Sequence, residues 1–179
     1  METKFSYSKR RIGSSFRRKM TKKYLLDTCI LSALKKPTAD GHIQAVTRLN
    51  SLDDDDEVCI SILSIYELEA GASHTLNLDL ESKTRKAITS LRNQFKILPI
   101  PMETGDEKIY GALRELFKEW ESPDLKKYRL GDKALQKYSV DLMIVTTAMR
   151  EETILVTNDT MAAIVQEICS KFQWEDWLT

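Results

Sequence analysis

At 179 residues and 42% hydrophobic content, the chain is long enough to bury a sizeable core without disulfide or metal staples, and too short for a second full domain. Formal net charge is zero, yet nine of the 27 Lys and Arg and one of the 27 Asp and Glu fall within Met1–Lys23, so the body from Tyr24 onward is acidic by eight charges and has no general basic surface for nucleic acid. No apolar run reaches the roughly 18 to 20 residues needed to cross a bilayer, and the N-terminus lacks the apolar segment of a secretory signal, so a soluble, cytoplasmic protein with no membrane partner is expected.

In chain order, residues 1–23 are rich in Lys, Arg and Ser without apolar periodicity, which predicts a flexible basic arm that touches RNA phosphates or aids solubility. Residues 24–179 read as one domain. Tyr24-Leu25-Leu26 predicts a strand ending at Asp27-Thr28, and Ile30, Leu31 and Leu34 then recur at helical spacing. A helix follows over His42–Leu52, then a solvated acidic turn over Asp53–Glu57. Val58–Ile62 has the β-branched content of a buried strand. Ser64 is the expected cap of the next helix, with Glu67 as its capping-box partner and Gly71 at the helix end.

Glu81–Phe95 predicts an amphipathic helix, Lys96–Ile100 a strand, Glu103–Trp120 a long helix, and Ser122–Gly131 a loop or short helical link. Val140–Arg150 predicts a helix and Thr153–Val156 a strand. Asp159 opens another helix, and a last strand is expected near Phe172–Trp174. Alternation of this kind implies right-handed crossovers, hence an α/β fold: a single-domain α/β/α sandwich around a mostly parallel sheet, with the functional crevice at the carboxyl ends of the strands.

Four acids stand where strands give way to helices: Asp27 in YLLDTCIL, Glu67 in SIYELEAG, Asp141 in VDLMIVTTAM and Asp159 in LVTND. Each alone has a plain explanation as a helix cap. Together they interrupt strongly apolar stretches, and four uncompensated carboxylates on one sheet edge would repel each other unless a divalent cation joined them. Hard cations such as Mg²⁺ or Mn²⁺ take oxygen ligands, and a phosphodiester needs its developing charge neutralised while a water attacks. The set therefore predicts a metal-dependent nuclease. Cys29, Cys59 and Cys169 are widely spaced and read as reduced core residues. With only His42 and His74 available, a His-based metal site is not expected. Trp120, Trp174 and Trp177 are expected in the core or in a dimer interface.

From about Tyr24 to the C-terminus, the order and spacing of these motifs, with the stretch KILPIPMETGDEKIYGALRELF, resemble the PIN-domain ribonucleases, most closely the VapC-like toxins of prokaryotic toxin–antitoxin pairs. The resemblance implies a PIN-like fold and Mg²⁺- or Mn²⁺-dependent cleavage of RNA to 5′-phosphate and 3′-hydroxyl ends. It also implies a frequent homodimer and a small antitoxin partner. Two departures stand out: Cys29 occupies a position where Asn is common, and Thr160-Met161-Ala162 stands shortly after Asp159 where many relatives carry a further Asp followed by an aromatic.

On this reading Asp27, Glu67 and Asp141 hold one or two ions, and Asp159 is a ligand or orients the attacking water. Thr28, Thr157, Lys35, Lys36 and Arg150 are candidate substrate contacts. The competing readings are an RNA-processing endonuclease of the same fold without an antitoxin, and a binding module of that fold whose acids merely cap helices. An aspartyl-phosphatase reading of LLDTC fails because Cys29 stands where that chemistry needs a second Asp.

Overall fold

The computed structural model describes residues 21–100, 105–120 and 131–179. The predicted basic arm lies outside the described residues except at its end, where Lys23 already belongs to the first strand. Five strands, β1 (Lys23–Leu26), β2 (Glu57–Ser61), β3 (Lys96–Leu98), β4 (Ile154–Val156) and β5 (Trp174–Glu175), form one sheet in the order β3-β2-β1-β4-β5, every neighbouring pair parallel. The chain winds outward from β1 in one direction and then in the other, so the strand order reverses between β1 and β4. Ligands of open parallel sheets bind at such a reversal, beyond the carboxyl ends of the strands.

Both faces of the sheet are covered, as an all-parallel sheet requires. Alternate residues of the strands point to opposite sides. Leu25, Cys59, Leu98 and Leu155 pack with helices α5 (Asp106–Glu119), α7 (Ser139–Arg150) and α8 (Thr160–Ile168). Tyr24, Leu26, Ile60 and Val156 pack with α1 (Thr28–Lys35), α3 (Ile62–Ser73) and α4 (Leu78–Gln94). Two further helices are found among the described residues, α2 (His42–Asn50) and α6 (Gly131–Lys137). The predicted α/β/α sandwich is thus the observed architecture.

Several local expectations are corrected. Ser61, not Ser64, caps α3, its Oγ accepting from the Leu63 amide at 3.1 Å, so Ser64 lies inside the helix and Glu67 is no capping-box partner. Gly71 does not end that helix, which runs on to Ser73. Helix α4 starts earlier than its amphipathic pattern because Asn77 Oδ1 accepts from the Asp79 and Leu80 amides, both at 3.1 Å. The expected start of α5 at Glu103 and most of the 122–131 link fall outside the described residues, and α6 follows where no helix was expected.

The tail closes the fold. Trp177 is buried against Tyr24, ring centroids 5.4 Å apart, and its indole N–H donates to Glu175 at 2.9 Å. Leu178 lies so close to Gly41, which has φ of 75°, that a Cβ there would come within 2.9 Å of the Leu178 backbone. Among the described residues no helix is long and apolar enough to cross a membrane.

Candidate active site

The apolar strand β1 delivers Asp27 to the sheet's carboxyl edge. Its amide N–H donates to the Val156 carbonyl at 3.0 Å, extending the β1–β4 pairing by one step. The residue caps α1, with Oδ1 accepting from the Thr28 amide at 2.6 Å, and Oδ2 accepts from the Thr157 hydroxyl at 2.7 Å. The Cys29 thiol adds a longer donation to Oδ2 at 3.6 Å. Burial raises the Asp27 carboxyl above the ordinary range, against the lowering effect of the Thr157, Thr28 and Cys29 bonds, while the nearby Asp159 charge raises it further.

Asp159 caps α8 through a 2.8 Å bond from the Met161 amide, and its own N–H donates to Thr157 Oγ1 at 3.1 Å. Thr157, fully buried, thereby ties two of the four acids together. Glu67 projects from α3 and accepts a short hydrogen bond from the Thr28 hydroxyl. Asp141 lies in the first turn of α7. Burial pushes its carboxyl up to about 6, and the charges of Asp27, Asp159 and Glu67 add to that rise. The fold therefore brings all four acids within electrostatic reach of one another.

The plain capping role holds for Asp27 and Asp159, each of which uses one oxygen that way, but does not account for Glu67 or Asp141. Among the described residues no three His, Cys, Asp or Glu side chains already enclose a point where an ion could sit. The acids are near enough for their charges to act on Asp141 without forming a closed cage.

The remaining predicted residues divide by position. Thr28 and Thr157 are at the centre, but their hydroxyls are engaged by Glu67 and Asp27. Lys35 and Lys36 lie at the far end of α1, roughly 12 Å along the axis from Asp27 at 1.5 Å per residue. Lys35 is half-buried, which lowers its ammonium pKa against the opposing Glu69 charge, whereas Lys36 is exposed. Arg150 is not at the centre. It ends α7 at the opposite end from Asp141, where it pairs with Asp106 at 3.5 Å and Glu151 at 3.3 Å, and Glu151 also binds Lys23 at the start of β1. A cavity of about 320 Å³ at that same opposite edge, lined by Thr153, Lys171 and Phe172, contains none of the four acids.

Three features escaped the sequence reading. Lys137, exposed at the end of α6, is close enough to Asp159 and Asp141 for their charges to raise its pKa, behind the larger effect of its 2.9 Å bond to the Tyr138 hydroxyl. Its position depends on a helix that apolar periodicity did not reveal. Cys29, a free cysteine packed against the core as expected, is also a neighbour of the site. Its sulfur accepts from the Asn158 amide at 3.4 Å and contacts Thr157 Oγ1 at 3.6 Å; burial and the Asp27 charge push the thiol up to about 11, so at neutral pH it is a neutral donor and not a thiolate ligand. Asp176 in the tail accepts from the Asn158 side chain at 2.6 Å, linking the C-terminus to the motif that carries Thr157 and Asp159.

The fold and site define a parallel α/β/α domain with acids gathered at its strand-order reversal. The PIN domain family profile matches residues 24–168, and the chain belongs to this family of nucleases. Similar solved structures include VapBC2 from Rickettsia felis bound to a DNA fragment from its promoter, at 19% identity over 87% of this chain and 98% of that one, TM-score 0.60. VapBC-1 from nontypeable Haemophilus influenzae is 21% identical over 88% and 99%, TM-score 0.58. FitAcB from Neisseria gonorrhoeae is 20% identical over 84% and 95%, TM-score 0.60. At these identities the likeness concerns the fold. No curated protein matches the sequence of this chain.

Proposed function

We propose that this chain is a divalent-cation-dependent endoribonuclease, the toxin half of a prokaryotic type II toxin–antitoxin pair acting in the cytoplasm. The observation that carries the reading is the convergence of Asp27, Glu67 and Asp159 on Asp141, whose carboxyl their charges help push up to about 6. Capping explains one oxygen each of Asp27 and Asp159 but not the gathering of four acids from separate segments, whose mutual repulsion a shared cation removes.

The residue types fit such an ion. All four are hard oxygen donors, and the nearby sulfur is a neutral thiol. Asp27, Glu67 and Asp141 would hold one or two Mg²⁺ or Mn²⁺ ions after side-chain rotation, with Asp159 as a further ligand or as the group that orients the attacking water. When bound, the cation supplies charge neutralisation at the phosphate and a more acidic water.

The rest of the work falls to the chain. Thr28 and Thr157 hold carboxylates in place and act on RNA only through them. Lys137, beside Asp159 and Asp141, is the cation best placed to meet a phosphate, with Lys36 and Lys35 further out along α1; Arg150 is too remote to take part. As the family resemblance implies, hydrolysis would leave 5′-phosphate and 3′-hydroxyl ends. No histidine base is needed.

An antitoxin partner is supported by the neighbours, which are VapBC assemblies of a toxin–antitoxin family. It is also supported by apolar side chains left exposed around the α3–α4 turn, where Leu76 is fully exposed and Tyr66, Leu78 and Leu80 are largely so. A second copy of the chain in a homodimer would need surface of the same kind.

Asp27→Asn tests the proposal. The variant should fold as the parent does, lose divalent-dependent RNA cleavage and relieve any growth arrest on expression. Cleavage at the parental rate would refute the assignment. Metal-dependent cleavage without growth arrest, and without relief by a small protein encoded next to this one, would favour the RNA-processing reading.

A further inference from the structure

Buried hydroxyls among the described residues find hydrogen-bond partners, as Thr157 does in Asp27. Thr146 donates to the Leu142 carbonyl at 2.8 Å, Thr147 to the Met143 carbonyl at 3.0 Å, and Ser61 caps α3. Ser64 is the exception among the described residues. Its side chain is completely buried and its Oγ has no hydrogen-bond partner. A buried hydroxyl in that state is costly, and native proteins keep one only where a water, an ion or a function meets it.

Its place on the helix says what could meet it. Successive residues of α3 are turned by about 100°, which puts Glu67 and Ser64 about 60° apart on one arc. That arc is bounded on one side by Leu63, which packs in the core layer of Leu142 and Val145. On the other it is bounded by Leu68 and Ile65, which pack in the layer of Ile30 and Leu31. A helix that reaches both layers at its start straddles the edge of the sheet. The arc between those contacts therefore faces the carboxyl ends of the strands, where Glu67 meets Thr28 and where Asp27, Asp141 and Asp159 converge.

We infer that Ser64 is a positioning residue of the carboxylate centre, its hydroxyl donating to the Glu67 carboxylate once that side chain turns towards the bound divalent cation. The inference rests on the proposed function for the cation itself. It adds a third hydroxyl to those of Thr28 and Thr157 at the centre, and it explains why a hydroxyl is placed where an apolar side chain would pack without cost.

The test uses the full chain freed of metal with a chelator and then titrated with Mn²⁺, free Mn²⁺ being read by electron paramagnetic resonance and unfolding by calorimetry. Ser64→Ala should leave the metal-free melting temperature unchanged or higher, because no bond is lost, while weakening Mn²⁺ binding by about fivefold, the scale of one hydrogen bond. Ser61→Ala is the control: it should lower the metal-free melting temperature and leave Mn²⁺ affinity alone. Parental Mn²⁺ affinity in Ser64→Ala, or a Ser64→Ala protein that melts lower or fails to fold, overturns the inference, since a hydroxyl without a partner cannot be what holds the fold together. If the parent binds Mn²⁺ and Asp27→Asn does not, the carboxylate centre stands whatever Ser64 does. A parent that takes up no Mn²⁺ overturns both.

Discussion

Thr157 and Asp27 are 130 residues apart in the chain and joined by a 2.7 Å hydrogen bond across the β1–β4 reversal. Because Thr157 Oγ1 also accepts from the Asp159 amide, one buried hydroxyl sets the spacing of two acids from different strands. Thr157→Val keeps the shape and removes both bonds. It should cost about 1–3 kcal/mol of stability and lower metal affinity or RNA cleavage by about 10- to 100-fold, as losses of partners behind metal ligands do. Thr157→Ser should retain most of both. Equal Mn²⁺ affinity and cleavage in the Val variant and the parent would show that Thr157 is only a packing residue.

The raised carboxyl of Asp141 makes stability depend on pH in a defined direction. An acid whose folded pKa, about 6, exceeds its ordinary value of 3.8 binds more protons folded than unfolded between those values. Its contribution to stability is therefore present at low pH and lost as pH rises through 6. With the side chain partly exposed to solvent, that loss is on the order of 1–2 kcal/mol. The metal-free Asp141→Asn variant should accordingly be more stable than the parent at pH 7.5 and no more stable at pH 4. Parallel melting-temperature profiles from pH 4 to 8 would rule out the effect. Glu57, Glu151 and Glu175, whose pKa values are lowered, are common to both proteins and drop out of the comparison.

The parts of this reading that sequence made legible follow from two periodicities. Runs such as Tyr24-Leu25-Leu26 and Ile154-Leu155-Val156 are apolar on both faces because both faces are covered, and an acid within three residues after such a run lies at the sheet's edge. Asp27 and Asp159 were readable for that reason. What stayed hidden depended on local hydrogen bonding or on distant chain. Ser61 and Ser64 are equivalent as caps in a string of letters, and only the path of β2 decides that Ser61 takes the Leu63 amide. Arg150 looked available because it follows the helix of Asp141, but the length of α7 carries it to the opposite edge, into the company of Glu151 and Asp106. Lys137 precedes that helix by two residues and belongs to α6, whose seven residues are too few to show a pattern.

That exchange of Lys137 for Arg150 is measurable. Lys137→Ala should weaken RNA binding by a uniform factor across sequences and reduce the slope of log affinity against log salt by about 0.7, the value for one phosphate contact on a single strand. Arg150→Ala should leave the slope unchanged and act on stability instead, since it removes ion pairs remote from the acids. Binding measured by fluorescence anisotropy with a catalytically dead Asp27→Asn background separates affinity from turnover. A slope altered by Arg150→Ala and untouched by Lys137→Ala would reverse the assignment.

Trp177 shows how far the tail contributes to the site without touching it. The ring is buried against Tyr24 at the N-terminal part of β1, and the residue before it, Asp176, anchors Asn158 next to Thr157. Trp177→Ala should cost about 3–5 kcal/mol through the cavity it leaves, a fall in melting temperature of roughly 6–20 °C for a domain of this size. Trp174→Ala and Trp120→Ala remove less buried rings that donate to Gln166 and Glu167, and should cost clearly less. The same loss should loosen Asn158, so the Trp177 variant is expected to show faster hydrogen exchange at the Asn158 and Asp159 amides than at β1. Calorimetry that ranks the three tryptophan variants equally, or exchange that rises uniformly along the chain, would deny the tail this role.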